Sequence, residues 1–201
     1  MNSLKKITFQ RAVQFLRTKK AVDIYSKITN KSYVFRDVLT GPQHWCDFDD
    51  GICWGEYTSC FQSDEEAKYI QQQLYYINSQ RLAEVHKVEV DENSLPQRGN
   101  SKRRWYSVNT IEGIEKAARK KLQKLYPYKE NNFSSKGILL IGIVDPVFGG
   151  FKTDVEVTEY ELNKIAQKLR PCMDQSCFEK IVIIDELERL ENTDQAFHSL
   201  I

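Results

Sequence analysis

No stretch of about 20 apolar residues runs through this chain, so no membrane-spanning helix is expected. Nor is there a surplus of charge. Its 29 Lys and Arg stand against 28 Asp and Glu, leaving +1. No global field therefore draws the protein to nucleic acid or to a membrane surface, and electrostatic binding has to come from local patches. The opening MNSLKKITFQRAVQFLRTKK lacks the unbroken apolar core of a signal peptide, because Arg11 and Gln14 interrupt it. A cytoplasmic protein is the expectation. The five cysteines are an odd number and form no evident framework, so reduced thiols are the simplest reading. Internal repeats and low-complexity tracts are missing. So is GxxxxGK[ST], which excludes a P-loop phosphate cradle even though IVIIDE has the look of that class's acidic strand.

What is present suffices for one domain: 201 residues, 41% of them hydrophobic. The chain is organised around residues 136–186. GILLIGIV is an aliphatic run suited to a strand buried on both faces, and IVII repeats it. Between them a helix is expected. Thr158 and Glu161 have capping-box spacing, Val157 and Leu162 suit a hydrophobic staple, and Leu162, Ile165, Ala166 and Leu169 share a face. Pro171 is expected to stop it. Strand, helix and strand make a βαβ unit. The fold class is therefore α/β, with a mixed sheet, this C-terminal βαβ unit and flanking helices.

Upstream, residues 8–19 read as a helix, and AVDIYSKI with YVFRDVL reads as a hairpin turned at TNKS. We thus expect a single domain over 1–201, with residues 1–40 as a helix-plus-hairpin appendage. Residues 39–61 form a Cys/Trp-rich loop region carrying Asp47, Asp49 and Asp50, with one short strand near 52–57. A helix opens at Ser63 and runs to about Gln80. RLAEVHKVEV then alternates like a strand, a polar loop follows, and 103–108 is another strand. A third helix, capped by Asn109, lines one face with Ile111, Ile114, Ala118, Leu122 and Leu125 and another with Lys116, Lys120 and Lys124. The acidic tail ends in a short helix.

Four groupings carry chemistry. Asp145 and Asp185 each end a central strand. If those strands are parallel neighbours, the two carboxylates share the edge where open α/β sheets bind ligands, and they would hold a magnesium ion; a plain turn at each strand end is the commoner use of Asp. His44, Cys46, Cys53 and Cys60 offer zinc donors, but the short paired spacing of zinc sites is missing, so buried thiols among Trp45, Phe48 and Trp54 are favoured. Lys102, Arg103 and Arg104, with the row Lys116, Lys120 and Lys124, suit a phosphate backbone, and Trp105, Tyr106, Tyr126 and Tyr128 suit base stacking; a solvated helix face is the plainer reading. Glu84, Lys87 and Glu89, with His86 nearby, would bind a divalent ion and position water; a mixed-charge strand face is the plainer reading.

The last ninety or so residues, through EKAARKKLQKLYP, GILLIGIVD and FEKIVIID, resemble the C-terminal half of restriction-endonuclease-like PD-(D/E)XK proteins. The resemblance lies in element order and apolar pattern. It implies an acidic residue upstream, (D/E)-x-K on a preceding strand, and magnesium or manganese as cofactor. RLAEVHKVEV and RRWYSV are the candidate strands and neither contains the motif: two residues separate Glu84 from Lys87, and Glu89 follows the lysine. The resemblance implies a nuclease-like core associated with DNA or RNA, either a divalent-metal-dependent phosphodiesterase or a degenerate form of one. In it Glu84 or Glu89 would bind metal and Lys87 would stabilise developing charge. The alternative is a non-enzymatic protein-protein interaction subunit of a larger assembly, anchored by aromatics exposed on residues 39–61.

Overall fold

The computed structural model describes residues 4–36, 39–40, 42–60, 64–95, 110–143, 159–185 and 197–199. In chain order the elements are β1 (Lys5–Ile7), α1 (Phe9–Thr29), β2 (Val34–Phe35), β3 (Phe48–Asp49), β4 (Trp54–Cys60), α2 (Asp64–His86), β5 (Val88–Val90), a 3-10 turn (Glu92–Ser94), α3 (Thr110–Leu122), β6 (Gly137–Ile143), α4 (Glu159–Asp174), β7 (Phe178–Asp185) and β8 (Phe197–Ser199). Six strands form one mixed sheet in the order β2-β3-β4-β6-β7-β8. Its centre, β4-β6-β7, is parallel. β2, β3 and β4 join it as an antiparallel meander, and β8 is antiparallel to β7. β1 and β5 form a separate parallel ribbon.

The expected βαβ unit is there. β6 and β7 run side by side from Ile138↔Lys180 to Ile143↔Asp185, with α4 between them in the chain. Residues 137–142 are all buried, as a parallel strand covered on both faces requires. On one face α3 and α4 bury Ile114, Ala118, Leu122, Leu162, Ile165 and Leu169 against Leu139, Ile141, Ile181 and Ile183. On the other, α1 lays Ala21, Val22, Ile24 and Tyr25 over Ile138, Leu140, Val182 and Ile184. A third cluster joins the first half of α1 to Leu82 of α2 and to the ribbon through Ile7, Val88 and Val90. No helix among the described residues is long and apolar enough to cross a membrane.

Several elements differ from expectation. The first helix does not stop at residue 19; it continues through AVDIYSKI to Thr29. The β-branched residues there suggest a strand, but Ala21, Tyr25 and Ile28 keep helical spacing and pack on the sheet. TNKS is this helix's end, not a hairpin turn. Asn30 takes the left-handed conformation at φ 50 and its N–H bonds back to the last turn. RLAEVHKVEV is likewise not one strand. Residues 81–86 complete α2, Lys87 breaks it at φ 55, and only VEV is extended. Pro171 lies inside the last turn of α4 instead of ending it. The carbonyl it leaves unbonded belongs to Gln167, and both residues are exposed, so solvent can satisfy it. Leu125, placed on the buried face of the third helix, lies beyond the end of α3 and is exposed. The tail contributes strand β8 where a helix is expected. Ser63, Asn109, Thr158 and the expected strand at 103–108 lie outside the described residues.

Residues 39–61 are more regular than expected. They hold β3 and β4, turned at Gly51 (φ 85), and β4 lies inside the sheet between β3 and β6.

Candidate functional site

The acidic run before β4 divides into three roles. Asp50 closes the hairpin turn: its Oδ1 accepts from the backbone N–H of Ile52 (2.9 Å) and Cys53 (2.7 Å). Asp49 binds the Arg36 guanidinium through both carboxylate oxygens. Asp47 turns inward. Its backbone N–H donates to Gly55 O at 3.0 Å, its carbonyl accepts from Arg36 N at 2.8 Å, and its Oδ2 accepts from Tyr57 N at 2.8 Å. The carboxylate is thereby fixed beside β4 and buried.

Glu56, the third residue of β4, is buried too, and Lys121 Nζ donates to its Oε2 at 2.6 Å. The side chains of this pair are only 9% and 17% exposed. Helix periodicity explains how α3 delivers a lysine here. Lys121 follows Ile114 by seven and Ala118 by three, and both of those are core residues of the same helix. Trp54, two residues before Glu56 and so on the same side of β4, supplies an apolar wall. Its ring lies 5.1 Å from Tyr126, 5.7 Å from Tyr128 and 5.2 Å from Phe178. Gly137 leaves room for that indole, since a Cβ there would come within 2.5 Å of it. The Tyr126 hydroxyl is buried and makes no hydrogen bond of ordinary geometry.

Burial sets the electrostatics. It raises the Asp47 pKa, against the lowering effect of the Tyr57 N–H and of the Lys121, Arg11 and Lys124 charges. Glu56 is pushed up to about 7, first by burial and then by the Asp47 charge, with Lys121 and Lys124 opposing. Tyr126 is raised by burial and then by the Glu56 and Asp47 charges. Two buried carboxylates thus act on each other beside one engaged ammonium and a phenol. Among the described residues no three His, Cys, Asp or Glu side chains group as a metal site. Two carboxylates nevertheless match what magnesium ordinarily takes from a protein, the rest of its shell being water and phosphate oxygen.

The residues expected from sequence lie elsewhere. Glu84 is exposed on α2, accepting from Gln80 Nε2 at 2.8 Å. Lys87 is in the break after α2, and Glu89 is exposed on the ribbon, in register with Lys6. None of the three is on the six-stranded sheet. Asp185 ends β7 in the row of Cys60 and Ile143. That is four residues, or about 13 Å, along the sheet from the row of Glu56. Its proposed partner Asp145 lies outside the described residues, as do Lys102, Arg103 and Arg104. Lys116, Lys120 and Lys124 are described and exposed. Cys46 Sγ lies 3.4 Å from His44 Nδ1, and burial pushes the thiol up to about 12, away from a reactive thiolate. Cys53 Sγ contacts the Ser135 hydroxyl at 3.2 Å. Of the aromatics described in this region, Phe48, Trp54 and Tyr57 are buried and Trp45 is half-buried, while Phe61 lies outside the described residues.

The sequence reading does not single out Glu56, and it does not bring Asp47, Lys121 and Tyr126 together with it. The signals were a glutamate inside an aromatic, β-prone run (WGEYTSC) and a lysine at core spacing on a helix. Comparison with known proteins finds no matching family model, no matching curated protein and no matching solved structure.

Proposed function

We propose that the protein is a divalent-metal-dependent phosphodiesterase acting on nucleic acid, with Asp47, Glu56 and Lys121 as its working groups. The observation that carries this reading is the buried carboxylate pair joined to a lysine from the covering helix. The resemblance to PD-(D/E)XK proteins supports it in a form different from the one expected. The sheet strand that precedes α3 and β6 is β4, with Glu56 at the acidic position and Asp47 upstream. Thr58 stands where that motif has lysine, and an amine reaches the same carboxylate from Lys121.

Asp47 and Glu56 would hold magnesium or manganese, because two buried carboxylates lower their mutual repulsion in the presence of a cation. A bound ion of this kind would polarise a phosphoryl oxygen and acidify a water molecule. The protein's part is to hold that pair in place through Tyr57 N–H and Lys121 Nζ, and to keep bulk water away with Trp54 and Tyr126. Lys121 Nζ, which bonds Glu56, would donate to charge developing on a phosphate oxygen beside it. Water adds to phosphorus, one P–O ester bond breaks, and the alcohol departs.

The test is incubation with DNA and RNA plus magnesium or manganese, comparing wild type with Glu56→Gln, Asp47→Asn and Glu84→Gln/Glu89→Gln. The first two are expected to lose at least about a hundredfold in rate, since removing a metal ligand costs no less than disturbing the shell that supports it; the last is expected to cut like wild type. Equal cleavage by all four proteins, or none by wild type, would overturn the proposal.

A further inference from the structure

Helix α3 carries five cations between residues 116 and 124 when its final turn is included, and they divide into two kinds. Two are engaged. Arg119 Nε bonds Glu115 at 3.0 Å, with further contacts to Cys172 and the Lys168 carbonyl, and Lys121 bonds Glu56. The other three, Lys116, Lys120 and Lys124, are exposed and have no ion pair among the described residues. Lys116 and Lys120 are four apart on one side of α3, and Lys124 follows in the tighter turn that closes it, its N–H bonded to the Lys121 carbonyl at 3.0 Å, so the row extends over about 12 Å. Like charges at this spacing repel by roughly 0.2–0.5 kcal/mol per pair. Glu115 is already shared by Arg119 and Lys168. Glu112, four residues before Lys116, heads the same side of the helix, so one carboxylate stands against three ammonium groups and the row keeps a net positive charge.

The row passes beside the candidate site: Lys121, next to Lys120 and three residues before Lys124, bonds Glu56 at 2.6 Å. Complementarity then specifies the occupant: a line of regularly spaced anions that passes beside the carboxylates. Base contact is not offered alongside it. Tyr126 and Tyr128, the aromatics that follow the row in sequence, are half-buried and have their rings against Trp54. A single strand would want such rings as stacking platforms, whereas a duplex keeps its bases stacked inside and presents phosphates alone.

We infer that Lys116, Lys120 and Lys124 form a sequence-independent track for one phosphate backbone of a nucleic-acid duplex, leading a phosphate to Asp47 and Glu56. This deepens the phosphodiesterase reading and rests on it for the destination of the track, but binding is measured separately from cleavage. The experiment is fluorescence anisotropy in EDTA, across a salt series, with a labelled DNA duplex, an RNA duplex and a single strand. The proteins are wild type, Lys116→Gln/Lys120→Gln/Lys124→Gln, and Lys27→Gln as a control on α1, which covers the opposite face of the sheet. On a DNA duplex three contacts contribute about 2.7 to the magnitude of the logarithmic salt slope, and the triple variant is expected to lose that amount. Between 50 and 200 mM salt this corresponds to about fortyfold in affinity. A slope unchanged in the triple variant, an equal loss in Lys27→Gln, or tighter binding to the single strand than to either duplex would overturn the inference. Binding of this kind without any metal-dependent cleavage would uphold the track and remove the phosphodiesterase reading.

Discussion

Glu56 and Glu89 both sit inside short strands, and both have a valine, tyrosine or glycine on either side. Their surroundings differ completely. Glu56 is on β4, roofed by α3, and shares its burial with Asp47 and the Lys121 ammonium. Glu89 is on the two-stranded ribbon, exposed, with Lys6 in register across from it. Burial gives the first carboxylate a raised pKa and a fixed partner; the second faces solvent. The difference teaches that chemistry in this fold follows the layer above a strand, and that spacing along the strand says little about it.

That contrast can be broken in stages. The largest effect is expected from the wall of the buried centre. Trp54→Ala should cost about 3–5 kcal/mol, measured by urea unfolding, as for other large aromatic truncations in a core. Val85→Ala, at an exposed position of α2 near Glu84, should stay within about 0.5 kcal/mol. Similar losses at both positions would erase the distinction.

Next comes pH. Because the Glu56 pKa is raised to about 7 from 4.5, the folded protein keeps a proton that the unfolded chain releases between those values. The stability this proton lends is fully present below about 4.5 and is lost as pH rises through about 7, amounting to up to about 3 kcal/mol. Glu56→Gln removes this dependence, so the variant should gain on wild type as pH rises from 5 to 8. Parallel stability profiles for the two proteins would contradict the assignment. A gain in stability accompanied by lost cleavage is the trade expected of a functional site.

Lys121→Met should cost about 2–3 kcal/mol at pH 8, somewhat below the figure for a fully buried broken pair because the lysine retains some exposure. At pH 5, with Glu56 protonated, the loss should shrink. A cost that does not change with pH would mean the lysine acts through packing alone. The smallest effects belong to the ribbon side: Glu84→Gln and Glu89→Gln should each leave stability within about 0.5 kcal/mol of wild type.

Much of the architecture was legible in the sequence because aliphatic runs and helical periods are local signals. The β6-α4-β7 unit follows from GILLIGIV, the Leu162-Ile165-Leu169 face and IVII. Where the reading failed, tertiary context overrode composition. AVDIYSKI has strand-prone residues, yet its helical face found the sheet to pack on. The carboxylate centre was hidden for a related reason. Asp47 and Lys121 are 74 positions apart, and only the approach of α3 to β4 brings both to Glu56. Residue identities alone hinted at it, through a glutamate in an otherwise buried strand and a lysine in phase with core residues.

The account is tested most directly by calorimetric titration of manganese into the protein at pH 8. Wild type and Glu84→Gln/Glu89→Gln should each take up the ion with the same affinity, while Asp47→Asn/Glu56→Gln should lose it. Uptake that survives in Asp47→Asn/Glu56→Gln, or that disappears in Glu84→Gln/Glu89→Gln, would contradict a metal centre at the β3–β4 carboxylates.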